Sequence, residues 1–183
     1  MNVFVENLQA KHMQAVRERT RRKHVILAII VVVLAVLVGI CILMVSRDYI
    51  VRGASMEPTL KEGDRLSYSH FTSLAYGDLA IFRTEQDEYG SMIKRVIGLA
   101  GDTISVEPDG TVYRNGELLS EPYIKKDALG NSAMEEITIK QGYVFLMGDN
   151  RGVSIDSRDI RLGQVLAKDI YGCVTQIVRE MDY

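Results

Sequence analysis

Cysteine and histidine are both scarce in this chain of 183 residues. The two cysteines are Cys41, inside a long apolar run, and Cys173, near the C-terminus. They cannot pair within one folded domain, and no zinc-type spacing is present, so we expect no disulfide framework, no metal and no other cofactor. Of the three histidines only His70 follows the apolar run, which leaves a histidine-based catalytic triad with a single candidate.

An excess of positive charge is missing as well. The chain has 22 lysines and arginines against 24 aspartates and glutamates, and beyond the N-terminal segment the two signs are interspersed. This distribution gives no electrostatic footprint for nucleic acid and excludes that class of partner. After the apolar run, enough residues remain for one globular domain with a core, and we expect no second domain.

What the sequence does have is an apolar run, VILAIIVVVLAVLVGICILMV, over residues 25–45. It carries no charge, and at about 1.5 Å per residue a helix of this length matches a hydrocarbon core of roughly 30 Å. A core helix is rarely apolar on every face for so long, and the apolar part of a signal peptide is shorter. The run therefore predicts a single transmembrane helix.

The charges on either side of this run predict its orientation. The preceding flank is strongly basic and the following one is nearly neutral, with Arg17, Arg19, Arg21, Arg22 and Lys23 before the run and Arg47, Asp48 and Arg52 after it. By the positive-inside rule, residues 1–24 form a cytoplasmic basic flank and residues 46–183 an extracytoplasmic domain. Residues 1–16 mix apolar and charged residues, and we expect a frayed end there rather than a helix on the membrane surface.

Beyond residue 45 the pattern changes to short runs of strand-forming residues separated by Gly, Asp and Asn. The predicted strands are DYIVRG, DRLSYS, DLAIFR, SMIKRVIGL, DTISVE, TVYRN, ELL, YVFLMG and KDIYGCVTQIV. The segments EPDG (107–110) and RNG (114–116) favour tight hairpins, whereas KKDALGNSAMEE (125–136) indicates an exposed loop. We therefore expect a mostly β protein, in which the N-terminal helix is followed by a compact antiparallel β-rich domain.

A lysine lies in the middle of one apolar strand, SMIKRVIGL. Strand alternation places the side chain of Lys94 on the face of Met92 and Val96, opposite Ile93 and Arg95. A buried amine loses affinity for its proton, so such a lysine can act as a base. A lysine that extends to solvent at the rim of the domain has no such property, and this segment alone leaves both alternatives open.

Two polar segments complete the set of candidate features. The turn GASMEPTL (53–60) contains Ser55, and the loop MGDNRGVSIDSRDIR (147–161) concentrates acidic and basic residues after a hydrophobic strand. A turn serine and a salt-bridged surface loop are both common without any catalytic role. The alternative is a loop whose polar groups hold a catalytic arrangement in place.

Together these segments resemble the type I signal peptidases of bacteria. The motifs are Ser-Met-x-Pro-Thr-Leu after a transmembrane helix, Lys-Arg-Val-Ile-Gly-Leu-x-Gly-Asp, and Gly-Asp-Asn-Arg-x-x-Ser-x-Asp-Ser-Arg, in that order, and GDLA at residues 77–80 resembles a further strand of the family. The resemblance covers roughly residues 25–175. A single anchor, a glycine at position 53 and a compact outer domain resemble the Gram-positive branch of the family.

The resemblance implies a membrane-anchored serine endopeptidase with a Ser–Lys dyad. By position, Ser55 matches the nucleophile, Lys94 the general base, and Ser154 the hydroxyl that hydrogen-bonds and orients the lysine amine. Asp156 and Arg158 match an ion pair that shapes the loop beneath the site. These five residues are the predicted catalytic and supporting set.

Ala100 stands where the family often has proline, and Gly53 stands where the enteric-type enzymes have a serine whose hydroxyl completes the oxyanion hole. Here the backbone N–H of Ser55 and a further N–H must take that role. For the base role, the pKa of Lys94 must fall by about two to three units, equivalent to roughly 3 to 4 kcal/mol. A carboxylate beside the amine would oppose this change, so we expect Asp149 and Asp156 to pair with arginines instead.

The resemblance also implies the substrate, which is a precursor protein carrying a signal peptide with small residues of A-x-A type before the cleavage site. The enzyme would act at the outer face of the bacterial cell membrane, with precursors and the lipid bilayer as partners. Such an extended segment can bind by strand addition. The predicted apolar walls are Val51, Met56, Met92 and Ile93. The sequence does not indicate an oligomeric state.

Two other functions compete with this interpretation. A self-cleaving protease of the SOS-repressor type shares the Ser–Lys chemistry, but that family has a DNA-binding region where this chain has an apolar run. A membrane-anchored β-domain that assists the assembly of surface proteins or pili, without catalysis, would be favoured by replacement of Ser55 or Lys94. Both residues are present.

Overall fold

The computed structural model describes residues 2–45, 47–70, 73–84, 90–124 and 133–179. The chain divides after Val45 into two compact units, a helix and a β domain.

The first unit is one helix, α1, from Asn2 to Val45. Its segment Arg21–Ile40 has a mean hydropathy of 2.8 and exposed side chains, and is long and apolar enough to cross a membrane. A helix that is apolar on all faces and exposed along its length is typical of a membrane span. The expectation of a frayed end was wrong, because α1 already begins at Asn2. The first 24 residues contain neither proline nor glycine to interrupt it.

The second unit is built from short strands. Their bounds are β1 Arg47–Ile50, β2 Arg65–Ser69, β3 Leu79–Phe82, β4 Met92–Gly98, β5 Thr103–Val106, β6 Val112–Arg114, β7 Glu117–Leu118, β8 Met134–Thr138, β9 Tyr143–Met147, β10 Val165–Leu166 and β11 Ile170–Val178. A single 3₁₀ turn, Ala167–Asp169, separates the last two strands.

The strands form two antiparallel sheets. One has seven strands in the order β1-β2-β11-β3-β4-β9-β10, and the other has four in the order β7-β6-β5-β8. Every described strand pair is antiparallel. The predicted fold class, mostly β with one N-terminal apolar helix, is therefore confirmed.

Both predicted hairpins are present. The turn after β5 is closed by a hydrogen bond from the Glu107 N–H to the Thr111 carbonyl oxygen at 2.9 Å. The turn between β6 and β7 places Asn115 at φ 54° and Gly116 at φ 75°, the left-handed conformation that a two-residue primed turn requires.

The predicted loop over residues 125–136 was partly wrong. Residues 125–132 lie outside the described part of the chain, but Met134–Thr138 forms β8 against β5. Its side chains are mostly exposed, and an edge strand with charged, exposed side chains lacks the alternation that predicts a strand.

The middle of the large sheet is the best-buried part of the domain. All four residues of β3 are buried, as are most residues of β4 and β9 on either side. Met92 and Val96 of β4 pack in one hydrophobic cluster and Ile93 in another, which agrees with the predicted alternation. A side chain that projects from the centre of β4 is therefore held in a fixed, dry position.

Candidate active site

Ser55 lies in a tight turn that is anchored by its apolar neighbours. Met56 and Leu60 are buried in the same hydrophobic cluster, and the Leu60 N–H donates to the Met56 carbonyl oxygen at 2.9 Å. Gly53, just before the turn, has a φ of 74°, which disfavours any residue with a side chain. Ser55 itself is half-buried, so its hydroxyl is fixed in place yet reachable.

Lys94 lies in β4, opposite Ala80 of β3, and is only 2% exposed. Its amine lies 2.8 Å from the Ser55 hydroxyl oxygen, and it also donates to the carbonyl oxygen of Ile93 at 3.1 Å. The predicted nucleophile and the predicted base, 39 residues apart in the chain, are thus in direct hydrogen-bond contact. This distance is within the range required for proton transfer between a nucleophile and its base.

Arg95, the residue after Lys94 in β4, connects three segments around the Ser55–Lys94 pair. Arg95 binds Asp149 with two parallel hydrogen bonds, Nε to Oδ1 at 2.8 Å and Nη2 to Oδ2 at 2.6 Å. The Thr59 hydroxyl, from the Ser55 turn, donates to the same carboxylate at 2.5 Å, and Arg95 donates to the Gly77 carbonyl oxygen at 2.8 Å. The bidentate pair has strong directional preference, so it fixes the spacing of these segments.

The predicted ion pair in the polar loop is also formed. Arg158 Nε donates to Asp156 Oδ1 at 2.8 Å, and its Nη2 donates to Oδ2 at 2.9 Å. Asp156 accepts the Gly148 N–H at 2.9 Å, and Arg158 donates to the Arg151 carbonyl oxygen at 2.9 Å. Both carboxylates expected to pair with arginines, Asp149 and Asp156, therefore do so.

Ser154 lies close to the Ser55 turn but does not make the predicted hydrogen bond to the Lys94 amine. Its Oγ is buried and has no hydrogen-bond partner among the described residues. A methyl group placed on Gly148 would lie 2.2 Å from this oxygen and 2.5 Å from the carbonyl oxygen of Ser55. The absence of a side chain at Gly148 therefore lets the Ser154 hydroxyl approach the Ser55 turn.

Sequence reasoning did not identify Asn150, which holds the serine turn directly. The Asn150 N–H donates to the Ser55 carbonyl oxygen at 3.0 Å, and its side-chain amide donates to the Ala54 carbonyl oxygen at 3.1 Å. The polar loop is thus attached to the backbone of the candidate nucleophile. The signal in the sequence was only its place beside Asp149 in the third motif.

A cleft of about 490 Å³ opens over Ser55 and Lys94. The four predicted wall residues all line it: Val51, Met56, Met92 and Ile93. Three of these are nearly buried, and only Met92 is partly exposed. Two unpredicted residues, Val153 and Ile155, line the cleft while 62% and 49% exposed, so they add apolar surface that a ligand can reach.

The cleft combines apolar walls with the Ser55 hydroxyl and the buried Lys94 amine. Such a site can bind an apolar or small extended segment and attack it with an activated oxygen. Within the described ranges, no three His, Cys, Asp or Glu side chains cluster as a metal site would require.

Comparison with known proteins identifies the family. Residues 22–178 match the family described as signal peptidase, peptidase S26. A signal peptidase I of Bacillus licheniformis is 35% identical over 156 residues, covering 79% of this chain and 81% of the relative. One of Bacillus amyloliquefaciens is 34% identical over 177 residues, covering 87% and 91%. A crystal structure of a signal peptidase I from Enterococcus faecalis is 29% identical and covers 57% of this chain and 98% of that chain, with a TM-score of 0.46. The family match and the two Bacillus relatives show that the chain belongs to the signal peptidase family, peptidase S26.

Proposed function

We propose that this membrane-anchored peptidase removes signal peptides with Ser55 as nucleophile and Lys94 as general base. The observation that carries the proposal is the 2.8 Å contact between the buried amine and the serine hydroxyl, at the floor of an apolar cleft. Membership of the signal peptidase family supports a protease. The family match gives no support to the alternative that the protein is a non-catalytic assembly factor.

The proposed reaction starts with an uncharged Lys94. Its amine takes the hydroxyl proton while the Ser55 oxygen attacks the carbonyl carbon of the scissile peptide bond, which forms a tetrahedral oxyanion. As the carbon–nitrogen bond breaks, the ammonium returns that proton to the leaving amine, and an ester remains on Ser55. A water molecule, deprotonated by the same amine, then attacks the ester carbonyl carbon. The carbon–oxygen bond to Ser55 breaks, the ammonium returns the proton to the Ser55 oxygen, and the second product leaves with a new carboxyl group.

The surroundings of Lys94 favour this role. Burial disfavours the charged form of an amine, and at 2% exposure Lys94 has little access to solvent. The charges of Asp149 and Asp156 are matched by Arg95 and Arg158, which reduces the stabilisation that these carboxylates would otherwise give to an ammonium ion.

The proposed oxyanion hole uses the backbone, beginning with the N–H of Ser55. Gly53 carries no hydroxyl that could add a donor, and its φ of 74° favours glycine at that position. We predict that the second donor to the oxyanion is another backbone N–H close to the Ser55 turn.

Ser154 is proposed to orient the amine when substrate is bound. In the free enzyme, Lys94 donates to Ser55, and the Ser154 hydroxyl lies close to the Ser55 turn and has no hydrogen-bond partner within the described part of the chain. Once Ser55 is acylated, its oxygen belongs to an ester and is a poorer acceptor. A small rotation would then let Ser154 hold the amine for the deacylation step.

The proposed substrate is an extended precursor segment with small residues before the cut, bound along the cleft beside β4. The proposed topology has residues 1–24 in the cytoplasm and residues 46–183 outside, since the basic flank precedes the apolar helix. This arrangement brings the peptidase to precursors whose own apolar segment is still in the bilayer.

The test uses the full-length protein in detergent and a synthetic precursor peptide with an A-x-A site. We expect cleavage after the small residue, and at least a thousandfold loss, on the order of the effect of removing a nucleophile or its base, in Ser55→Ala and in Lys94→Ala. Circular dichroism should show that both variants remain folded. Near-normal cleavage by either folded variant would contradict the assigned dyad.

A further inference from the structure

Two side chains outside the predicted motifs each contact one arginine beside the active site. Tyr123 contacts Arg95, and Glu121 contacts Arg151. Glu121 and Tyr123 follow β7 in the chain. The guanidinium carbon of Arg95 lies 3.9 Å from the centroid of the Tyr123 ring. The Tyr123 hydroxyl donates to Glu121 Oε1 at 2.9 Å, and the same carboxylate oxygen pairs with Arg151. One short segment therefore holds two cations from two different parts of the site.

Each of these arginines is one residue away from a group that the reaction needs. Arg95 follows Lys94 on β4, and it donates hydrogen bonds to the Asp149 carboxylate and the Thr59 hydroxyl oxygen. Arg151 follows Asn150, the residue that holds the Ser55 carbonyl oxygen, and its Nε donates to the Gly148 carbonyl oxygen at 3.0 Å. A displacement of either guanidinium would therefore be transmitted to the amine or to the serine turn.

The contacts of Glu121 and Tyr123 restrict the positions of the Arg95 and Arg151 guanidinium groups. The side chains of Arg151 and Glu121 are 1% and 5% exposed, and a buried charge that loses its partner is strongly unfavourable. Burial, and then the neighbouring Glu121, raise the pKa of Tyr123, so its phenol stays protonated and remains a hydrogen-bond donor. Stacking on an aromatic face further restricts the planar guanidinium of Arg95.

We propose that Glu121 and Tyr123 are positioning residues of the peptidase, which hold Arg95 and Arg151 so that Lys94 and the Ser55 turn keep their mutual distance. This inference rests on the proposed roles of Ser55 and Lys94. Neither residue touches the cleft, so they act on the rate of the chemical step through the arginines and leave substrate binding unchanged.

The first test compares kcat and KM for precursor-peptide cleavage by the full-length protein in detergent. Tyr123→Leu removes the aromatic face and the hydroxyl, and we expect kcat to fall about tenfold, which lies between the effects of an exposed and a fully desolvated cation–π contact. Tyr123→Phe keeps the face and should lose about threefold, in line with one hydrogen bond. KM should stay within about twofold in both, as expected for a group that does not bind substrate.

A matched control is available in Tyr76, whose ring lies 3.8 Å from the guanidinium carbon of Arg114. Tyr76→Leu removes the same kind of stack from Arg114, which donates to the Ile97 carbonyl oxygen and follows no dyad residue in the chain. It also removes the Tyr76 hydrogen bond to Asp102, so stability should fall while kcat stays unchanged. If Tyr76→Leu and Tyr123→Leu lowered kcat equally, or if Tyr123→Leu raised KM alone, the positioning role would be wrong.

A second test separates positioning from folding. Glu121→Gln leaves Arg151 without its counter-charge, whereas the double variant Glu121→Leu with Arg151→Met removes both buried charges and should restore the melting temperature. We expect kcat to remain low in the double variant, because the contact with Gly148 is also gone. A kcat that recovers together with the melting temperature would show a structural role only and overturn the inference.

The Ser55→Ala variant distinguishes failure of this inference from failure of the proposed function. If Ser55→Ala still cleaves the peptide, the proposed dyad is wrong. If Ser55→Ala is inactive while Tyr123→Leu and Glu121→Gln keep the kcat of the unmodified protein, only the positioning role is wrong. Should Glu121→Gln fail to fold, the two Tyr123 variants and the Tyr76 control decide the matter.

Discussion

The backbone N–H of Asn150 donates to the carbonyl oxygen of Ser55 at 3.0 Å, and the Asn150 side chain holds Ala54 in the same way. Two adjacent carbonyl groups of the serine turn are thus fixed by one residue of the polar loop. The turn places its hydroxyl toward Lys94 through contacts that leave the hydroxyl itself available for reaction.

Asn150→Ala is expected to lower kcat about tenfold and the free energy of unfolding by about 1 kcal/mol, because it removes one hydrogen bond and keeps the backbone one. Asn150→Asp should be worse than alanine, because a carboxylate cannot donate to the Ala54 carbonyl oxygen and adds a buried charge. Peptide cleavage and urea unfolding measure the two effects. An aspartate variant as active as the unmodified protein would contradict this account.

Lys94→Arg and Lys94→Met test whether the amine acts by accepting a proton. An arginine keeps its proton at any working pH, and methionine has no basic group, so both variants should lose cleavage by about a thousandfold or more. Methionine replaces a buried amine by an apolar side chain of similar length, and the melting temperature should be unchanged or higher.

The arginine variant also provides a control for charge. A positive charge that was needed only to attract or stabilise substrate would be retained by Lys94→Arg, and cleavage would then persist in that variant while the methionine variant lost it. Such an outcome would replace the general-base role with an electrostatic one.

Ser154→Ala should lower kcat without lowering stability. The hydroxyl is buried without a hydrogen-bond partner among the described residues, and removing an unsatisfied polar group is neutral or favourable for folding. We expect a kcat loss of roughly tenfold to a hundredfold from the proposed loss of amine orientation, and a melting temperature that is equal or higher. A variant with an unchanged kcat would show that Ser154 has no part in the reaction.

Much of the fold was predictable because the strands that alternate, or that are buried on both faces, leave a clear pattern. The two strands that sequence analysis missed, β8 and β10, both lie at the edge of a sheet. β8 presents two exposed glutamates, and β10 is only two residues long. Edge strands are protected from unwanted pairing by such charge and shortness, which are also the features that conceal them.

The candidate site was predictable only where the residues form local motifs. Ser55 and Lys94 were singled out in their segments and given roles only by the resemblance of the motifs to the type I signal peptidases, and the structure brings them into contact. The attachment of Asn150 to Ala54 joins residues 96 positions apart, and the contact of Glu121 with Arg151 joins residues 30 positions apart. Nothing in the local pattern predicts such pairs, because they depend on how distant segments pack in the folded domain.

Gly148→Ala is expected to disturb the site by steric overlap alone. The new methyl group would lie 2.2 Å from Ser154 Oγ and 2.5 Å from the Ser55 carbonyl oxygen, so the turn and the loop must move apart. Overpacking of this kind costs about 1 to 3 kcal/mol, and kcat should fall with it. Gly39→Ala is the steric control, because its added methyl group meets no described atom within 4 Å apart from its chain neighbours and the nearby backbone of its own helix, and it should leave kcat unchanged. An active, stable Gly148→Ala enzyme would show that Ser154 and Ser55 need not lie so close.

Asp102 should make folding stability sensitive to acid. It is a buried carboxylate that accepts hydrogen bonds from Asn115 at 2.9 Å, the Leu99 N–H at 2.8 Å and the Tyr76 hydroxyl at 3.0 Å. Burial raises the pKa of Asp102, but these hydrogen bonds outweigh burial, and the pKa lies below its ordinary value. The unfolded chain therefore binds this proton more readily than the folded one. The stability from Asp102 is full above the ordinary pKa and is lost as the pH falls through the lowered one.

Asp102→Asn is expected to lower the free energy of unfolding by about 1 to 3 kcal/mol at neutral pH, because an amide cannot accept the same set of hydrogen bonds. The difference from the unmodified protein should shrink on acidification to about pH 2, measured by urea unfolding at each pH. Asp159→Asn is the matched control. A hydrogen bond from Arg161 lowers the pKa of Asp159 to about 2, but this pair is exposed, so solvent screening should leave only a small effect. Equal effects of the two substitutions would mean that burial of the Asp102 cluster is not what makes it stabilising.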